Sequence, residues 1–441
     1  MKVFIFLLTI LSLNLNAYYK IIPGKRPKSA IDRLHFGKIA DMKNIPQNPS
    51  FYAKSLIPIP RGEQLRYDRD YNRRYFAPWS QTAIQTPSEE IGWAINFLKK
   101  RKVFTIINRP ISPSIYNWWI KNANFQALNT LKSKAITVRA TNLRALPTDI
   151  GVYKKSNRNT EGFPFDYLQH SELHINVPLF VSHLSLDKKW AFVEAGHVAG
   201  WVKVKNIAYV SSKFIKAFKS GQYRVSIVDD LWLLNHKNRK VSLIKLGTIF
   251  PLDRSRRWLL TARRAKGGYA LLVRVKPPSK SLVAPKPVPF NRFYVAKIAK
   301  ELYGEPYGWG GKMQTRDCSA FTRDFFAPFG IFLMRNSSKQ AKERSGINIK
   351  SLKGDMKKRA ILQYAKPFRS MLYVPGHITL YLGKYNDEPV IMHSYWGVRL
   401  KDWSKYPLCR TIISTTKPGD ELPNIRKSSE LINTLQKIIT F

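Results

Sequence analysis

The stretch DCSAFTRDFFAPFGI, residues 317–331, decides how the C-terminal part of the chain is read. Phe321 and Phe325 lie four apart, so they share one face of a helix, which Pro328 and Gly330 end. Cys318 therefore stands at the start of that helix. Unpaired backbone N–H groups and the positive end of the peptide dipoles gather there, and both favour a thiolate, the nucleophilic form of cysteine. Asp317 occupies the N-cap position.

A thiolate nucleophile needs a base, and working outward only His377 and His393 of the eight histidines fall in this part of the chain. In GHITLYLG (376–383), Ile378, Leu380 and Leu382 alternate with His377, Thr379 and Tyr381, which places His377 on the face turned away from the strand's core side. KYNDEP (384–389) reads as a hairpin turn, and the returning strand PVIMHSYWG carries His393. A neighbouring strand can hydrogen-bond the far nitrogen of an imidazole and fix its tautomer. Cys318, His377 and His393 then make a complete relay. The chain's second cysteine, Cys409, lies in PLCRTII; it is read either as a disulfide partner of Cys318 or as a small core residue, and counting alone leaves both open.

Upstream, PPSKSLVAPKPVP (277–289) holds five prolines in 13 positions and reads as an extended linker before a final domain at 290–441. Short alternating runs from 129 to 212, such as AITVRATNLRALPT and KWAFVEA, predict a small antiparallel barrel filled by Ile136, Val138, Phe192, Trp201 and Val202. A second such set, RVSIVDDLWLLN to YALLVRV, predicts another barrel over 213–276. Residues 18–128 are rich in Pro, Arg and aromatics, which predicts an irregular segment lying over the other domains, with one helix near Glu89 to Lys100. A short helix is expected in the tail, near Ser428 to Ile439. The first 17 residues, with Lys2, an apolar run and Ala17, read as an export signal; the run is too short for a membrane span, and no other stretch is long and apolar enough.

Lys and Arg total 75 against 28 Asp and Glu, for a net charge of +47, which draws the protein to polyanions. Export, the spread of basic residues along the whole chain and the lack of zinc-finger spacing or a basic-region zipper argue against nucleic acid and toward an anionic cell-wall polymer or anionic lipid, while a basic bias throughout the source's proteins explains the charge equally well. The nearest metal-like spacing, HSELH (170–174), fits neither zinc-peptidase pattern and is read as barrel surface and loop, so neither a metal nor another cofactor is expected.

YGWGG (307–311), DCSAFT, GHITLYLG and IMHSYWG together resemble the NlpC/P60 cysteine peptidases, papain-like enzymes of the cell wall, over about residues 290–415. The upstream half resembles a subgroup in which an N-terminal stabilising segment and two bacterial SH3-like domains precede the peptidase; YFAPW matches the former. The resemblance implies a multidomain fold, two small antiparallel β-barrels plus an α+β catalytic domain; the export signal adds the expectation of an exported protein of the periplasm or cell envelope, and a monomer is expected. It implies Cys318 as nucleophile, His377 as general base and acid, His393 as the orienting third residue, and Tyr307 beside the oxyanion. The implied substrate is a peptidoglycan stem peptide, cut between γ-linked D-glutamate and a diamino acid. Asp317 and Ser319 match the motif of members that prefer a free L-alanine amine, although Asp317 also reads simply as a helix cap. Acyl transfer by the same residues, or a non-catalytic wall-binding protein, are the other readings. The SH3-like domains are read as walls restricting the active cleft in preference to wall-polymer binders.

Overall fold

The computed structural model describes residues 18–156 and 162–441, so the export signal expected at 1–17 falls outside the described residues. Among the described residues no helix is long and apolar enough to cross a membrane.

The C-terminal unit is built on a six-stranded antiparallel sheet. Its order is Ile347–Asn348, Lys437–Thr440, Ser370–Val374, His377–Tyr385, Glu388–Arg399, Lys405–Thr415. Helix Cys318–Phe326 packs on this sheet, with fully buried Phe321 and Phe325 in the same cluster as Ile378, Leu380, Leu382 and Met392. It ends as the sequence predicts, in the turn Ala327–Phe329 followed by Gly330 at φ 80°. The hairpin between the two histidine strands closes through Asn386 and Asp387, both left-handed (φ 46° and 57°), a tight turn whose twist matches the strands it joins. The tail differs from expectation: Leu431–Thr434 is a single helical turn, and Lys437–Thr440 pairs with Ser370–Val374 as a sheet strand. Ile438 and Ile439 point to opposite faces and are both buried, which a strand covered on both sides permits.

Residues 133–209 form a seven-stranded antiparallel sheet. It does not close into the expected barrel, and the expected filling is corrected too: only Val202 lies in the inner cluster with Leu143, Val181 and Val193. Phe192 and Trp201 pack outward on N-terminal helices through Leu98 and Trp119, and Ile136 and Val138 join a cluster with Tyr75 and Trp79. Alternation identified two faces correctly, but both are covered, so the larger side chains did not mark the inner one. The second β-unit is also corrected. It consists of a five-stranded and a three-stranded sheet, neither closed into a barrel, and a strand from the N-terminal segment, Tyr19–Pro23, sits between Leu231–Leu234 and Ala270–Lys276. The Pro-rich stretch is extended but not a free linker: Val283–Pro285 pairs with Tyr223–Ser226, and Val288 and Phe290 are buried.

The N-terminal segment holds more helix than its prolines suggested. Ser88–Lys99 matches the expected helix, and Arg61–Phe76 and Pro113–Asn122 are added to it. Arg61–Phe76 buries Gln64, Asp68, Tyr71, Tyr75 and Phe76, a stripe at helical spacing whose first two members are polar and thus invisible to an apolar count. The Gln64 amide donates to the carbonyls of Val288 and Phe329, Tyr75 Oη donates to the Asn176 carbonyl (2.9 Å), and Trp79 Nε1 donates to the Ala135 carbonyl (2.7 Å). The segment thereby ties the two β-units to the C-terminal unit.

Candidate active site

Asp317 caps the helix: its Oδ1 accepts the Ala320 N–H at 2.9 Å. Cys318, the first helical residue, is buried, and the sulfur accepts the backbone N–H groups of Ser319 and Ile378. The Ile378 contact brings the start of the His377 strand onto the thiol. Cys318 and Cys409 are both free, which removes the disulfide reading. The expected thiolate is corrected. Burial, helped by the adjacent Asp317 carboxylate, pushes the thiol up to about 12, against the opposing pull of the two N–H groups and Arg335. Desolvation outweighs the helix terminus here because the thiol is largely withdrawn from water beside a carboxylate.

His377 Nε2 and His393 Nδ1 lie 2.8 Å apart, and His393 Nε2 lies 3.1 Å from Ser414 Oγ. Ser414 Oγ–H donates to the Thr415 carbonyl, so the hydroxyl oxygen accepts from His393 Nε2–H. That leaves His393 Nδ1 as acceptor for His377 Nε2–H, and His377 Nδ1 as a bare lone pair, the form a general base requires. Burial pushes His377 down to about 3, with Lys405 adding to the fall, and holds His393 well below the usual range. Both rings are neutral at rest. Tyr395 stacks on His393 (4.6 Å between ring centres) and leans on His377 (5.1 Å), holding both rings in place.

Around this relay, Arg335 forks onto both oxygens of Asp317 (3.1 and 2.6 Å), donates to Ser319 Oγ (2.9 Å) and reaches Ser171 Oγ of the seven-stranded unit (2.9 Å). The Gly310 N–H completes the Asp317 shell at 3.1 Å. Gly310 has φ 62°, and a Cβ there would meet the Gln169 carbonyl oxygen at 2.4 Å, so the YGWGG loop needs glycine to let the neighbouring unit approach. Tyr307 is buried; its N–H donates to the Cys409 carbonyl (2.8 Å), and it pairs with Arg316, two residues before the thiol. Phe165, from the seven-stranded unit, packs on Trp396 (4.9 Å), Trp309 (5.2 Å) and Tyr307 (6.1 Å). Lys312 donates to Asp166 and Tyr153 of the same unit.

The structure thus brings Cys318, His377, His393, Asp317 and Ser319 together, with Tyr307 bridged to Arg316 beside them. The residues that sequence reading missed are Arg335, Ser414, Tyr395, Lys405 and Phe165. Only Tyr395 carried a signal, as the residue two beyond His393 on the same strand face. HSELH is corrected as well: it forms the buried strand Gln169–Leu173 and its end, and burial holds His170 and His174 down to about 4 and lifts Glu172 to about 8. No cluster among the described residues could hold a metal ion.

An NlpC/P60 endopeptidase from Photobacterium damselae subsp. piscicida matches this structure with a TM-score of 0.80 at 24% identity, over 90% of this chain and 97% of that one, and so shares its fold. An NlpC/P60 family protein from Bacillus cereus gives 0.42 at 15% identity, over 69% of this chain and 98% of that one. No curated protein matches the chain by sequence. The NlpC/P60 stabilising-domain family matches residues 4–127, the SH3 domain family of SH3b1 type matches 152–203, and the NlpC/P60 family itself matches 304–408. These three parts follow one another along one chain, which thus carries the NlpC/P60 stabilising domain, an SH3b domain and an NlpC/P60 domain in that order.

Proposed function

We propose that this chain is an exported cysteine endopeptidase that cuts peptidoglycan stem peptides between γ-linked D-glutamate and the diamino acid. The observation that carries the reading is the directed chain Ser414, His393, His377, which leaves His377 Nδ1 unprotonated beside a strand whose next amide donates to the Cys318 sulfur.

With thiol and imidazole both neutral at rest, the proton leaves sulfur as the carbon–sulfur bond forms. His377 Nδ1 accepts it, and the carbonyl π pair moves onto oxygen. The Cys318 N–H, free of a helical partner at the first turn, and Tyr307 flank the developing oxyanion. The imidazolium returns its proton to the departing amine as the C–N bond breaks. Water, deprotonated by His377, then hydrolyses the thioester. His393 keeps the tautomer in which Nδ1 is the base. Asp317 and Ser319 select stems with a free L-alanine amine; Arg335 already neutralises Asp317, so an ammonium would share that carboxylate. Phe165 makes the seven-stranded unit a wall of the cleft, in keeping with the cleft-restricting role read for it.

The test is mass spectrometry of defined tripeptide and tetrapeptide stems, with free or acylated alanine amine. Wild type releases the diamino acid fragment, Cys318→Ala lowers the rate by about 10³-fold or more, and His377→Ala by about 10²–10⁴-fold. Equal cleavage by wild type and Cys318→Ala would remove the nucleophile. Indifference to acylation would remove the amine selectivity and leave the peptidase standing.

A further inference from the structure

A groove of about 1480 Å³ opens in the second β-unit, between helix Ser212–Phe218 and strands Leu259–Arg264 and Ala270–Lys276. None of the active-site residues described above lines it. Lys213, Lys216 and Lys219 recur every three residues, so they project from one side of the helix and its cap; Arg254, Arg256 and Arg263 line the groove from the turn after Ile249–Pro251 and from the next strand. All six are exposed. None of them has an ion-pair partner among the described residues. Asp253 is the only carboxylate among the lining residues, and its own turn consumes it: Oδ1 accepts from Ser255 Oγ and from the N–H groups of Arg257 and Trp258. A second concavity of about 500 Å³ shares Tyr19, Asn235 and Arg263 with the groove and has no carboxylate in its lining. Across a chain with 28 acidic residues, so uniform a stretch is a local feature and not only the average charge.

The floor is apolar, with Leu252, Leu260, Leu272 and Val273, and Tyr18 and Trp258 stand together in the lining, 5.4 Å between ring centres. Concave walls focus the field of their charges, and a flat bilayer cannot follow them, whereas a flexible chain can. An apolar floor with aromatic rings gives the C–H faces of sugar rings a surface to cover, and a bare polyphosphate has no such faces. We propose that this groove binds a linear acidic glycan, its anionic groups paired with the lysines and arginines and its sugar rings laid over the apolar floor beside Tyr18 and Trp258.

The experiment measures binding of the full chain to fluorescent polygalacturonate by anisotropy, with dextran, inorganic polyphosphate and phosphatidylglycerol vesicles as parallel probes. Polygalacturonate is expected to bind and dextran not to. The triple change Lys213→Glu, Lys216→Glu, Lys219→Glu is expected to weaken binding about tenfold or more, while Lys99→Glu, Lys100→Glu, Lys102→Glu, which alters net charge equally from a distant helix end, changes it by less than about twofold. Both variants keep wild-type stem cleavage. If the helix variant fails to fold, Arg254→Glu with Arg256→Glu gives the same test from another element. Equal losses in both variants would reduce the groove to the field of the whole molecule. Dextran bound as well as polygalacturonate, or polyphosphate or vesicles bound more tightly, would overturn the acidic glycan.

Discussion

A thiol at the first position of a helix gains from two backbone N–H groups, and here it loses more to burial and to the carboxylate beside it. Chemical reactivity follows from that balance. Because the thiol is pushed up to about 12, the thiolate is scarce at neutral pH and grows as pH rises toward that value. Iodoacetamide should therefore alkylate Cys318 at pH 7 more slowly than free cysteine. The rate should climb with pH and show no plateau below about pH 10. Peptide mapping separates it from Cys409, whose thiol is pushed up likewise. A plateau near neutrality would mean that an imidazolium–thiolate pair exists before substrate arrives. Cys318, His377 and His393 were legible because a helix start and two strands can be read from periodicity. Arg335 and Ser414 were not, since each meets its partner only across the tertiary fold, 18 and 21 residues away, in stretches with no motif of their own.

At the scale of elements, apolar periodicity found the structures whose buried stripe is apolar and missed those whose stripe is mixed. Helix Cys318–Phe326 belongs to the first kind; helix Arg61–Phe76, which seats Gln64 and Asp68 among backbone carbonyls and Lys286, belongs to the second. Likewise the strand Tyr19–Pro23 is too short to announce itself, and its place in a sheet is set by partners more than 200 residues away. The turn Ala77–Trp79, which ends the long N-terminal helix, tests how firmly that segment is bound. Trp79 is buried among Phe76, Phe214 and Phe218, and its indole N–H satisfies the Ala135 carbonyl. Trp79→Ala is expected to cost about 3–5 kcal/mol, read as a lower urea midpoint. Because the indole anchors the segment to the SH3b sheet, limited proteolysis should then release the segment first. A variant melting like wild type would show that the segment only rests on the domains.

Across the whole molecule, charged groups that belong in water have been drawn between the units. Arg316, in the residue pair before Cys318, forks onto Asp229 of the second β-unit and also holds Glu305 and Asp324. Behind the same helix, Glu172, His174 and His197 of the SH3b unit face Arg323 and Asp324 across a cavity of about 40 Å³. His197 Nε2 and Arg323 Nη1 have no hydrogen-bond partner there. These groups give the fold two opposed pH dependences. The histidines sit low, His170 and His174 at about 4 and His197 well below its usual value, so the unfolded chain takes up protons from about pH 6.5 downward while the fold does not. Their stability is present above pH 6.5 and is lost as pH falls toward 4. Glu172 runs the other way. Desolvation lifts it from 4.5 to about 8 against the pull of Lys245, Arg316 and Arg323, with Asp324 adding to the rise. Its protonated form favours the fold fully below pH 4.5, and that advantage is lost as pH rises to 8, where the unfolded chain is ionised and the buried carboxyl still resists. Glu172→Gln keeps the shape and removes the titration. The melting temperature of the variant minus that of wild type should therefore increase steadily from pH 5 to pH 8 and stay constant below about pH 4.5, where Glu172 is protonated in both the folded and the unfolded chain. A difference that does not change with pH would mean that Glu172 is ionised in the folded protein, paired with one of the three cations around it.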